Sequence, residues 1–81
     1  MSYSHKIENQ ILKKCYENYL KSGIPSGEFI FGFDNNIRQD WFDTLDEMYS
    51  NSYIKPGYKA LGMSRVTLTE LGLNLAKESF E

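Results

Sequence analysis

The stretch on which the reading of this chain turns is "IRQDWFDTLDEMYSNSYI", Ile37 to Ile54. Ile37, Trp41, Phe42, Leu45, Met48 and Tyr49 recur at helical spacing, so the segment predicts an amphipathic helix over 37–51. "DNN" just before it supplies capping residues, and Asn36 with Gln39 three residues later fits a capping box. "SNS" stops the helix, and Tyr53-Ile54 begins an extended run. The face opposite the apolar stripe holds Asn36, Gln39, Asp40, Asp43, Asp46, Glu47 and Ser50, while Arg38 projects toward the apolar side.

Upstream, "SHKIENQILKKCYENYLKSG" places Ile7, Ile11, Leu12, Cys15, Tyr16, Tyr19 and Leu20 on one side of a helix over 5–22. Lys6, Gln10, Lys13, Lys14, Glu17 and Lys21 fall on the other side. Gly23 sits where a helix ends in the left-handed conformation, and Ile24-Pro25 follows it. "GEFIFGF" between the two helices reads either as a short buried strand or as one irregular helical turn.

Downstream, "SYIKPGYKALGMSRVTLTELG" reads as a β-hairpin running into a helix. Ile54, Tyr58 and Ala60 share a parity, Val66 and Leu68 share another, and "LGMS" is the expected tip. Pro56 cannot donate to a ladder, which favours an edge strand or a bulge there. Thr69 is placed to cap a last helix, "ELGLNLAKESF", although Thr67 with Glu70 also fits a capping box. Gly72 inside that helix costs about 1 kcal/mol against Ala, and close approach to another backbone is the expected reason. The order helix, short segment, helix, hairpin, helix predicts one α+β domain over 1–81, with a helical core and a two-stranded β-hairpin.

The last half of the chain resembles winged-helix domains. In those, a helix ends in an aromatic-Ile strand start, and a hairpin wing returns through a segment like Leu68-Thr69-Glu70-Leu71-Gly72-Leu73. Within that superfamily the chain is most similar to the YjcQ-like family of small bacterial and phage proteins. The likeness rests on the Ile-Leu-Lys-Lys helix, "IPSGE", and "RQDWFDTLDEMYSNSYI". It implies a winged-helix-like fold with a three-helix core, a bacterial or phage setting, and DNA binding, with no catalytic residues. One feature departs from it: "GEFIFGF" takes the place of the helix that precedes a recognition helix and crosses the DNA backbone.

Charge sharpens the expectation. The formal net charge is −2, too small for steering by the molecule as a whole. Residues 1–22 carry four lysines against two glutamates, 23–52 one arginine against six acids, and 53–67 three cations and no acid. Affinity for duplex DNA rests on neutralising phosphates, so the carboxylate-lined helix 37–51 is a poor match to a groove. The wing is the better nucleic-acid surface, with Lys55, Lys59 and Arg65 along it and Tyr58 beside them. The alternative is a protein-interaction module offering Asp40, Asp43 and Glu47 to a basic partner, or the aromatic run Phe29–Phe33. Homodimerisation fits either.

Other classes are excluded by count. One His and one Cys cannot build a Cys/His zinc site within a chain. His5 and Cys15 lie ten residues apart on one helix, about 15 Å, too far for a nucleophile–base pair. No phosphate-binding glycine motif is present, so no cofactor and no enzymatic activity are expected. The lone cysteine and the polar N-terminus predict a cytoplasmic protein, and no apolar run is long enough for a membrane span. At 81 residues the chain buries about 60–65% of its unfolded surface, so its stability is modest and its twelve aromatic residues matter to the core.

Overall fold

The segment that periodicity leaves undecided is a strand. The computed structural model describes residues 3–31, 34–58 and 63–80. In chain order these form α1 (His5–Ser22), β1 (Ser26–Ile30), α2 (Asn35–Ser50), β2 (Met63–Thr67) and α3 (Glu70–Phe80). The domain is α+β: three helices and a two-stranded antiparallel sheet, among the described residues.

β1 pairs with β2, Ser26 opposite Thr67 through to Ile30 opposite Met63. The 53–58 arm of the expected local hairpin supplies one bridge, Ile54 with Leu68, and the Lys55 N–H donates to the Thr67 carbonyl at 2.9 Å. The main partner of 63–67 is therefore 26–30, which lies before α2 in the chain. Pro56, which has no N–H, stands two residues beyond the bridge, where the ladder stops. Residues 59–62, which include Ala60 and most of the expected tip, lie outside the described residues.

Local signals set the helix ends. Ser4 caps α1 by accepting from the Ile7 N–H, and Gly23 closes it at φ 82° with its N–H on the Tyr19 carbonyl. For α2 the capping residue is Asp34, not the expected Asn36. Asp34 Oδ1 accepts from the N–H groups of Asn36 and Ile37 at 2.9 and 3.2 Å, so the helix starts two residues earlier than expected. At its other end the Ser52 N–H bonds to Tyr49 O and the Tyr53 N–H to Met48 O, a Schellman closure with Ser52 at φ 66°. Thr69, not Thr67, caps α3: its Oγ1 accepts from the Gly72 N–H at 3.1 Å. Thr67 Oγ1 instead bonds Ser26 Oγ across the sheet.

The core lies between the helices and one face of the sheet. Ile11, Leu12, Cys15 and Tyr16 of α1 meet Leu45 and Met48 of α2, Ile54, Tyr58, Val66 and Leu68, and Ala76 of α3. Phe31 leaves the end of β1 to stack on Trp41 at 5.4 Å and to meet Phe42 edge-on, while Phe29 packs on Trp41 at 5.5 Å. That aromatic group ties the short strand to the first half of α2, where the sequence offers no second helix.

Gly72 is required by contact. A Cβ there would stand 2.0 Å from the Tyr53 carbonyl oxygen and 2.9 Å from its carbon, both backbone atoms. Gly72→Ala is therefore expected to destabilise the domain by about 1–3 kcal/mol or more through overpacking. The helix-propensity gain of about 1 kcal/mol from the same change does not offset that. Urea denaturation of the two proteins side by side measures this, and an Ala variant of equal or greater stability would refute the contact.

Candidate nucleic-acid interface

Strand alternation sorts the side chains of the sheet. Gly27, Ser64, Val66 and Leu68 face the core, while Glu28, Ile30 and Arg65 face solvent. Because Ile54 bridges Leu68, Lys55 lies opposite Thr67 on the solvent side. Lys55 and Arg65, ten residues apart in the chain, are thus diagonal neighbours on one open face, about 7–8 Å apart in an antiparallel pair. Arg65 forms an ion pair with Glu28, its direct cross-strand partner, and the two side chains are 69% and 52% exposed. An exposed pair of this kind contributes about 0–1 kcal/mol, so Arg65 is free to exchange Glu28 for another anion. Lys59, the third cation of the expected set, lies outside the described residues.

Tyr58 does not belong to this surface. It is only 8% exposed and its hydroxyl donates to Asp46 Oδ1 at 2.6 Å, with its ring against Tyr49 at 5.7 Å. The chain turns inward after Gly57, which sits at φ 88°, and this turns Tyr58 into the core. Burial, then the bond to Asp46, raise its hydroxyl pKa well above the ordinary value of 10.

The carboxylates of α2 are only partly solvated. Asp40, Asp43 and Asp46 are half-buried, and Glu47 is exposed. Asp43 accepts from Gln39 Nε2 at 2.7 Å, and the Asp40 carbonyl accepts from the buried Thr44 hydroxyl, which itself receives the Ser4 N–H at 2.9 Å. The apolar neighbours Ile37 and Tyr49 are each 47% exposed on the same helix.

Sequence reasoning missed one residue that changes the electrostatics. Glu8 is 7% exposed, held by the Tyr3 hydroxyl at 2.5 Å, with His5 Nδ1 3.4 Å away. The signal was available: Glu8 stands at helical spacing with Leu12, Cys15 and Tyr19, inside the apolar stripe. Its inward turn leaves Glu17 as the acid on the solvent side of α1, against Lys6, Lys13, Lys14 and Lys21, all exposed.

Among the described residues no group of three His, Cys, Asp or Glu could hold a metal ion, and no helix is long and apolar enough to cross a membrane. No protein-family model matches the chain, and no curated protein or solved structure matches it.

Cys15 is buried with its thiol 3.7 Å from the Val66 carbonyl, and burial pushes its pKa up to about 12. Tyr3 is also pushed up to about 12, by burial first and then by its bond to Glu8. In the unfolded chain these groups ionise from their ordinary values of 9 and 10, whereas the folded chain keeps their protons. Between those limits the native state binds more protons, so stability falls as pH rises. Stability measured by urea denaturation is expected to hold up to about pH 9 and to decline steadily toward pH 12. A double variant Cys15→Ala/Tyr3→Phe should be less stable at pH 7.5 but show a flatter alkaline decline.

Proposed function

We propose that this chain is a winged-helix-like, non-enzymatic DNA-binding domain, of the YjcQ-like kind and of bacterial or phage origin. It holds the phosphate backbone through the sheet face and the wing, and does not insert α2 into the major groove. In a transcription-regulatory setting this makes it a backbone-gripping module whose sequence preference is weak or supplied by a partner.

The observation that carries this reading is the juxtaposition of Lys55 and Arg65 on the open face of the sheet, with the wing residue Lys59 between them in the chain. Two cations on one face suit adjacent phosphates, and Arg65 suits bidentate contact. The half-buried carboxylates of α2 weigh against a groove-reading role for that helix.

A second reading has its own support. Ile37, 47% exposed, stands one turn from Asp40 and adds apolar area beside the carboxylates of α2, in the way a protein-docking surface does. In that reading Asp40, Asp43 and Glu47 receive a basic protein.

Fluorescence anisotropy of a labelled random duplex, at low and at near-physiological salt, separates the two. The DNA reading expects binding that weakens steeply with salt. Lys55→Ala/Arg65→Ala should lower the log–log salt slope by up to about 0.9 per lost phosphate contact. Asp43→Lys and Glu47→Lys should leave DNA binding intact or strengthen it. Absence of binding even at low salt would remove the DNA reading. Loss of a co-purifying basic protein in the Asp43→Lys and Glu47→Lys variants would favour the second.

A further inference from the structure

We infer that α1, not α2, is the helix laid along a nucleic-acid strand, with Lys6, Lys13, Lys14 and Lys21 contacting its phosphates. This deepens the DNA-binding reading above and rests on it. At 100° per residue these four lysines, with Gln10 and Glu17, fill one arc of about 100° on the helix surface. No apolar side chain of α1 falls within that arc, and Phe80 of α3 borders it at Lys6, Gln10 and Lys13. Protein-docking surfaces carry apolar or aromatic anchors at their centre and are depleted in lysine, so the arc suits phosphates better than a protein.

The spacing is regular. Lys6 to Lys13 and Lys14 to Lys21 are each seven residues, two helical turns. That is about 10.5 Å. From Lys6 to Lys21 the row runs about 22 Å.

The track joins the sheet face through a groove. Lys14 and Asn18 of α1, Ser26, Gly27 and Glu28 of β1, and Arg65 of β2 line an open groove of about 400 Å³. Gly27 lets the helix come this close: a Cβ there would lie 3.1 Å from Lys14 Cγ. The methylene stem of Lys14 therefore packs on the strand, which restrains where its ammonium can go. Asn18 Nδ2 is already bonded to the Ser26 carbonyl at 2.6 Å, and Glu28 is engaged by Arg65. With two cations to one carboxylate, the groove favours an anion, and a phosphate there would displace Glu28 from Arg65.

One packing event adds to the track: Arg65 is brought to the flank of α1 by the pairing of β2 with β1, while Glu8 lies on the opposite, buried side of the helix. The shared chemistry is the phosphodiester backbone, which a duplex and a single strand both present.

The test titrates the full chain against three labelled probes: a 20-base-pair duplex, one of its strands alone, and a polyglutamate peptide. The variant is Lys6→Gln/Lys13→Gln/Lys14→Gln/Lys21→Gln; Gln and Lys have similar helix propensities, and circular dichroism checks the fold. The expected result is a salt slope reduced by about 0.9 per lysine on duplex, or about 0.7 on a single strand. Low-salt affinity should fall more than tenfold, and Glu17→Gln, which removes the one acid from the arc, should raise it. If the quadruple variant unfolds, the Glu17→Gln result alone decides. A wild-type slope in the folded quadruple variant would overturn the α1 track while leaving the DNA reading standing. Failure of the wild-type chain to bind either nucleic acid would overturn both. Polyglutamate bound as tightly as nucleic acid would overturn the assignment to phosphate.

Discussion

The contact between Tyr53 and Gly72 is the constraint on which the rest of the structure depends. The Tyr53 N–H closes α2 on Met48, and its carbonyl receives the Thr69 N–H at 3.0 Å and lies against the backbone of α3 at Gly72. The next residue, Ile54, bridges Leu68. Within three residues the chain leaves one helix, touches another and enters the sheet, and each step uses a backbone hydrogen bond. A side chain at 72 would separate α3 from the end of α2, and with it the register that aligns Lys55 with Arg65.

The second organising feature is the sorting of charge by packing. The chain is nearly neutral overall, yet its surface is divided. Glu8 is turned inward and Asp46 accepts from a buried tyrosine, while the lysines of α1 stay in solvent. Long lysines keep their heads in water at little cost, whereas a carboxylate can be brought inside only with a donor. Tyr3 and Tyr58 are those donors. The structure thereby concentrates positive charge along α1 and the sheet face and leaves the carboxylates on α2.

The aromatic segment fastens the short strand to α2. Phe29 and Phe31 close against Trp41 and Phe42, covering the start of α2 with a strand and two rings. For a chain of this size, aromatic area adds substantially to a small core.

By itself the sequence determined what is local. The bounds of α1, its Gly23 ending, the Thr69 cap, the buried Cys15 and the close approach at Gly72 are all readable from residues a few positions apart. These depend on helix geometry and capping chemistry, which act over one or two turns. Asp34 as the cap of α2 was the local exception, because "DNN" offers three adjacent residues of almost equal capping strength. Only the tertiary structure decided that "GEFIFGF" contributes a strand, that β2 pairs with β1 across α2, and that Tyr58 faces inward. A five-residue strand carries too little periodicity to name its partner. Whether a polar side chain at the edge of an apolar stripe is buried depends on a donor arriving from elsewhere in the chain. The candidate surface follows the same division. Its cations were visible in the sequence, but the joining of Lys55 and Arg65 on one face came from strand register.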